Sequence, residues 1–362
     1  MNNYVWNDIK KRAEKMETFR QRLENSNIIL FGARMNGNYA YKKIKKEYAV
    51  YAFSDNNQEL WGGTYQGISV ISPEKLKEIT NCFVVITTSE FYYLPIKKQL
   101  NDMGIDGITY MEYVLIHHYD KLEMVYSRLL EDEFSKKTYL YILMAYLTCD
   151  MACFRNIFVR HQYFEIPEFC IPCRNEVFVD CGAYTGDTLE NYINIKVGIF
   201  KKIYCFEPTE KIFHALNIRK NRLLGEWALE EKQIVTEEKL VASKNGIKYF
   251  MDDGNGEASN RSIEEKFMKS KTIIAVSLDE YFADKKEKPT FIKADIEGEE
   301  VEMLEGAAKI IAEKKPLLAI CVYHKIDDLY EIPILLKQFH PEYKMAIRHH
   351  MLNYYESVLY CY

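Results

Sequence analysis

Between strand-like Val177 and Thr188 the chain reads Val177-Phe178-Val179-Asp180-Cys181-Gly182-Ala183-Tyr184-Thr185-Gly186-Asp187-Thr188. An apolar run ends in an acid, a G-x-x-x-G turn follows, and a helical pattern begins at once. That order is a buried parallel strand feeding a helix through a tight turn. Gly carries no Cβ, so backbone at such a turn can approach a ligand closely. Amide donors at a helix start favour a carboxylate. The amino-acid end of a ligand suits this place, with Asp180 accepting from its ammonium. Gly182, Ala183, Tyr184, Gly186, Asp187 and Thr188 would line it. A capped strand–helix turn explains the same residues without any ligand.

A second strand, Ile203-Tyr204-Cys205-Phe206-Glu207-Pro208, puts an acid just past its end. It stands roughly twenty residues after the Gly turn, where a carboxylate grips both ribose hydroxyls of a nucleoside. Pro208 stiffens the turn, and Thr209 can cap the helix that follows. Dinucleotide enzymes prefer G-x-G-x-x-G, whereas Ala183 and Tyr184 occupy the tight part here. A mononucleoside without a phosphate fits better.

Phe291-Ile292-Lys293-Ala294-Asp295-Ile296-Glu297-Gly298-Glu299-Glu300 brings Lys293, Asp295 and Glu297 to the carboxyl end of a third strand. Ligands of open α/β sheets bind at that edge. His324 follows the strand Leu318–Tyr323 and leaves the same edge. An imidazole near its own pKa is a natural general base for a hydroxyl. Asp295 is the rival base, with Lys293 and Glu297 toward the substrate. Helix capping by Asp295 or Glu297 stays open as a purely structural role. So does a divalent metal on Asp295, Glu297 and His324, although none is expected.

The rest of the chain fixes the organisation. Asn27-Ile28-Ile29-Leu30-Phe31-Gly32, Val50–Phe53 and Phe83–Thr88 alternate with helical stretches at Tyr39–Tyr48 and Phe91–Met103. This predicts a small Rossmann-like α/β domain over residues 25–115. Residues 116–170 carry helical spacing at Leu122, Val125, Tyr126 and Leu129, and again at Tyr139, Ile142, Leu143 and Tyr146. They read as a helical connector or cap, with Tyr163-Phe164 as a lid. Residues 171–362 alternate strand and helix throughout. Strands are expected at Glu176–Cys181, Ile203–Phe206, Lys239–Ser243, Thr290–Ala294, Leu317–Tyr323, Tyr343–His349 and Ser357–Tyr362. The last two, joined only by a turn, are expected antiparallel. Helices are expected near Thr185–Ile195, Glu210–Asn221, Glu299–Glu313 and Asp327–Gln338. A hairpin is expected at Ile247–Met251, before the Gly-rich Asp253-Gly254-Asn255-Gly256.

Bulk properties narrow the function classes. A net charge of −5 gives no electrostatic reason for a nucleic-acid partner. The most apolar stretch, Thr138–Phe154, is interrupted by Asp150 short of bilayer-spanning length, so no membrane span is expected. The N-terminus lacks the apolar core of a secretion signal. With nine cysteines, an odd number, a reducing cytoplasm is expected. Cys170 and Cys173 have metal-knuckle spacing but no second pair at finger distance, so they read as plain thiols.

Four blocks in order resemble the FkbM-type methyltransferase family over Glu176 to Tyr362. They are Phe178–Thr188, Phe206-Glu207-Pro208, Val276-Ser277-Leu278-Asp279, and Lys293–Glu300 continuing to Gly306-Ala307. The resemblance implies an S-adenosylmethionine-dependent O-methyltransferase of sugars, polyketides or related glycans. It implies a class I methyltransferase-like, seven-stranded, mostly parallel sheet. It also carries cofactor contacts onto Asp180, Gly182, Tyr184, Asp187 and Glu207. The adenine-binding residue and the catalytic base stay unassigned by it.

Phe31-Gly32-Ala33-Arg34-Met35-Asn36-Gly37 and Phe53-Ser54-Asp55-Asn56 resemble the small Rossmann-like domain preceding sugar-modifying enzymes of bacterial glycan pathways. That implies a nucleotide-sugar as a possible ligand there, with packing or dimerisation as the alternative. The expected function is O-methylation of a sugar, nucleotide-sugar or glycan precursor. The rivals are a nucleotide-sugar-binding or scaffolding protein with an inactive methyltransferase fold, and a nicotinamide-linked sugar enzyme. The oligomeric state is left open.

Overall fold

A computed structural model describes residues 3–251, 262–263 and 270–362. Its chain forms two compact units. One comprises Met1–Ser127, Lys137–Ile157 and Leu352–Tyr354; the other comprises Arg128–Lys136, Phe158–Met351 and Tyr355–Tyr362. The residues expected as a connector are thus distributed between both units.

In the first unit the apolar run at Asn27 becomes β1 (Asn27–Phe31). It is followed by β2 (Val50–Ser54), β3 (Thr64–Tyr65), β4 (Ile68–Ile71), β5 (Cys82–Ile86) and β6 (Gly107–Thr109). The sheet order is β3-β4-β2-β1-β5-β6, parallel except where β3 meets β4. Helices Met35–Ile44 and Tyr93–Asp102 supply the crossovers. Ile29, Phe31, Val84 and Ile86 pack against Ile96 and Leu100 of the second helix. Burying such apolar side chains contributes about 1.5–3 kcal/mol each.

The second unit is built on β7 (Val177–Cys181), β8 (Lys202–Phe206) and β9 (Ile234–Glu237). A small sheet of β10 (Leu240–Val241), β11 (Gly246–Met251), β12 (Ser262–Ile263) and β13 (Ser270–Val276) follows in sequence. The main sheet resumes with β14 (Phe291–Ala294), β15 (Leu317–Cys321), β16 (Met345–His349) and β17 (Ser357–Cys361). Seven strands run in the order β16-β17-β15-β14-β7-β8-β9. β17 is antiparallel to both β15 and β16, and the other pairs are parallel.

Two sequence expectations need correction here. The third strand of the main sheet is Ile234–Glu237, not Lys239–Ser243; Leu240 and Val241 instead pair with Ala275 and Val276 in the small sheet. As an edge strand β9 buries fully only Ile234, so its polar sequence hid it. The helix expected over Glu299–Glu313 is two, Glu300–Glu305 and Ala308–Lys314. The break falls at Gly306, where a Cβ would meet the Ala242 carbonyl oxygen at 2.2 Å. Asp279 accepts from the Lys309 and Ile310 amides at 2.9 Å each and so caps the second helix. The expected hairpin strand is β11, paired antiparallel with β13; the Gly-rich Asp253–Gly256 lies outside the described residues.

Tyr163 and Phe164, expected as a lid, are buried in the core of this unit with Phe178, Tyr192 and Phe291. All nine cysteines are free thiols. Among the described residues, no helix is long and apolar enough to cross a membrane.

Candidate active site

The carboxyl edge of the main sheet opens into a cavity of about 330 Å³, within the usual size range of small-molecule sites. Strand order distributes its walls. Lys239, Leu240 and Val241 stand at the β9 side, Glu207 and Pro208 past β8, and Gly182 and Tyr184 past β7. Asp295 and Glu297 follow β14, Tyr323 follows β15, and Glu356 precedes β17. Asp187 and Thr188 line it from the start of helix Asp187–Ile195, and Ile212 from helix Glu210–Glu226.

Glu207 is anchored before any ligand arrives. Its Oε2 accepts from the Tyr184 amide at 3.1 Å and its Oε1 from the Thr209 amide at 2.8 Å. Burial raises its carboxyl above the ordinary range, while the two amides oppose that rise. A carboxylate oxygen has further lone pairs, so each remains able to accept a hydroxyl. Asp55 of the first unit is held in the same way, by the Ala33 and Asn57 amides at 2.8 Å each.

The Gly turn works differently from the sequence expectation. Gly182 has φ +78°, and a Cβ there would lie 1.9 Å from the Asp295 carbonyl oxygen. The close approach it permits is therefore between two strand ends. Gly186, at φ +85°, faces Leu216 and Arg219. Neither Gly186 nor Ala183 is on the cavity wall.

Asp180 lies beneath the floor rather than on it. It is fully buried and sits 3.0 Å from Lys293 Nζ, and Lys293 also donates to the Gly182 carbonyl at 2.6 Å. Burial pushes the Asp180 carboxyl up to about 6 against the pull of Lys293. For Lys293 burial works downward, but the Asp180 and Asp295 carboxylates outweigh it and keep the ammonium charged.

Asp295 accepts from two tyrosine hydroxyls, Tyr163 at 2.7 Å on Oδ2 and Tyr323 at 3.0 Å on Oδ1. Burial alone would raise it; Lys293, His324 and the tyrosines hold it below its ordinary value. His324 is not the free imidazole that the sequence suggested. Its side chain is 3% exposed, with Nδ1 2.9 Å from Glu300 and Nε2 3.5 Å from Asp295. Burial disfavours its charged form, but Glu300, Asp295 and Glu297 together push its pKa up to about 9. The ring is thus charged at neutral pH and lies behind the cavity wall. Glu297, in left-handed backbone at φ +58°, reaches the wall itself.

Asp295, Glu300 and His324 bring one ligand atom each within 4.8 Å, as do Asp295, Cys321 and Glu356. Both groups are already tied together by the protein's own contacts: Asp295 takes two tyrosine hydroxyls, and His324 Nδ1 lies 2.9 Å from Glu300.

Sequence reasoning missed Leu240, Val241 and Ile212, which supply the apolar wall, and Gln162, Tyr323 and Glu356. A signal for Glu356 was present. A strand running antiparallel to its neighbours enters the sheet at the edge where they leave, so the residue before β17 had to reach that edge.

Residues 180–354 match the family model described as Methyltransferase FkbM domain. Residues 24–110 match one described as C2185-like, N-terminal. No curated protein matches the chain. Among solved structures, the methyltransferase FkbM from Methylobacillus flagellatus is similar over 98% of both chains, with 20% identity and a TM-score of 0.59. That likeness shows the fold. A putative methyltransferase from Streptococcus mutans in complex with SAH is similar over 53% of this chain and 90% of its own, at 10% identity and a TM-score of 0.32. An rRNA methylase from Streptococcus thermophilus covers 53% of this chain and 87% of its own, at 14% identity and a TM-score of 0.31. Residues 180–354 thus match the FkbM methyltransferase domain model, and the seven-stranded sheet they help to build has a class I methyltransferase-like fold.

Proposed function

We propose, from the FkbM methyltransferase domain at residues 180–354, that this protein methylates a hydroxyl of a sugar, nucleotide-sugar or glycan precursor. The observation that carries the reading is the Glu207 carboxylate, pinned by two amides on the cavity wall that also holds Phe206, Ile212, Leu240 and Val241. S-adenosylmethionine, when bound, supplies an electrophilic methyl group on a sulfonium. Glu207 would hold its ribose hydroxyls, each charge-assisted hydrogen bond contributing roughly 1.5–3 kcal/mol. Phe206, Ile212, Leu240 and Val241 would cover its base. Tyr184, Asp187 and Thr188 at the helix start would take its amino-acid end.

The acceptor side is polar. Asp295, Glu297, Tyr163 and Tyr323 offer carboxylates and hydroxyls to a polyhydroxylated molecule. Asp295 orients the hydroxyl to be methylated, and His324, charged behind it, keeps Asp295 ionised. An imidazolium has no free lone pair for a proton, so His324 acts here as a positioning residue. Nine free thiols suit a reducing cytoplasm as the site of action. The Asp55 arrangement, parallel to that of Glu207, supports a nucleotide-sugar ligand in the first unit.

The test is mass spectrometry of cellular glycans and nucleotide-sugars with and without the gene. A methylated species lost with the gene supports the reading. An unchanged methylation pattern refutes it.

A further inference from the structure

Glu356 has no role so far, yet its placement is unusual. It immediately precedes β17 in left-handed backbone at φ +68°, a conformation that few non-glycine residues adopt. Strain of this kind gathers at functional sites. Because β17 enters where β15 leaves, the Val322 amide donates to the Ser357 carbonyl at 2.9 Å. Glu356 therefore joins the wall beside Tyr323.

One oxygen of Glu356, one of Asp295 and the Cys321 thiol lie within 4.8 Å of one another. Gln162 donates its side-chain amide to Glu356 Oε2. Lys293, His324, Tyr163 and Tyr323 complete the titratable groups around it. The donors are shared unequally. Lys293 and His324 act on both carboxylates, but Asp295 also takes two tyrosine hydroxyls where Glu356 takes one side-chain amide. Two neighbouring carboxylates favour one proton between them, and of the ionised pair Glu356 is the better placed to accept one from outside.

We propose that Glu356 takes the proton from the acceptor hydroxyl, an inference that rests on the methyl-transfer reading above. The acceptor oxygen forms a bond to the methyl carbon as the carbon–sulfur bond breaks with its electron pair on sulfur. The hydroxyl proton passes to a Glu356 oxygen and then to solvent. Burial, and next the Asp295 charge, push the Glu356 carboxyl up to about 7, which suits a base working near neutrality. Asp295, held ionised below its ordinary value, is the weaker proton acceptor of the two.

The experiment compares wild type with Glu356→Gln and Glu356→Asp, each saturated with S-adenosylhomocysteine. Difference infrared spectra from about pH 5 to about pH 9 span the titration of a raised carboxyl. A carboxyl band should titrate near neutrality in wild type, persist in the Asp variant and vanish in the Gln variant. Methyl transfer is followed with tritiated S-adenosylmethionine and an extract of cellular nucleotide-sugars and oligosaccharides. Glu356→Gln should slow transfer by about 100-fold and lose the neutral pH limb, with S-adenosylhomocysteine affinity unchanged as evidence of an intact fold. Glu356→Asp should keep the limb at a reduced rate. A titrating band that survives in Glu356→Gln, or full turnover by that variant, overturns the inference alone. A wild type that binds no S-adenosylmethionine overturns the functional reading beneath it.

Discussion

Asp180 and Lys293 are register partners on the adjacent parallel strands β7 and β14, and their charges meet 3.0 Å apart in a fully buried position. Breaking such a pair from one side leaves a buried charge without its partner, at a cost of roughly 3–5 kcal/mol. Asp180→Asn should therefore lower the unfolding free energy by about that amount. Adding Lys293→Met should recover part of the loss. Urea unfolding of wild type and the two variants checks this. Unchanged stability with lost S-adenosylmethionine affinity would return Asp180 to the ligand-binding role that the sequence suggested.

His324 should make stability pH-dependent in a defined window. Its folded pKa, about 9, exceeds the ordinary 6.5, so the native state holds the proton more tightly. The stabilisation is complete below about pH 6.5 and is lost as pH rises through about 9. Its size is on the order of 3 kcal/mol. Urea unfolding across that window should show the decline in wild type and not in His324→Ala. A wild-type profile that stays flat there would mean that the imidazole is not held charged.

Gly182→Ala should act on folding before it acts on binding. Its Cβ would collide with the Asp295 carbonyl, in a backbone conformation that L-residues avoid. A loss of about 3 kcal/mol is expected from strain and overpacking together. Gly225→Ala is the control: nothing lies within 4 Å of that Cβ, and helix propensity predicts a gain of up to about 1 kcal/mol. Thermal melts of both variants decide. A Gly182→Ala protein as stable as wild type would mean that the two strand ends are not in contact.

Glu207→Gln should keep the fold and weaken S-adenosylhomocysteine binding by roughly 10-fold to 100-fold, the equivalent of one lost charge-assisted hydrogen bond. Calorimetry measures it. Unchanged affinity removes Glu207 from the ribose role.

The parallel strands were legible because burial on both faces writes them as continuous apolar runs, as in Val177–Val179 and Leu318–Ile320. Glu207 and Asp295 were legible because an acid directly after such a run has only the sheet edge to occupy. Other features depend on contacts that sequence spacing does not contain. Edge strand β9 buries fully only Ile234, so it carries no strand pattern. Asp180 reads like Glu207, an acid in an apolar run, yet Lys293 lies opposite it one strand away and takes it out of the cavity. His324, in the turn after β15, looked like a lone imidazole because Glu300, its strongest partner, sits on helix Glu300–Glu305, far from it in sequence. The Gly182 turn read as a ligand cradle, since nothing in the sequence says that Asp295 backbone fills the space.

Calorimetric titration of the full chain with S-adenosylhomocysteine, and separately with NAD, tests the central claim most directly. The account predicts one S-adenosylhomocysteine site, displaced by S-adenosylmethionine and weakened in Glu207→Gln, and no binding of NAD in competition with it. Binding of NAD with no heat from either S-adenosyl compound would contradict the account.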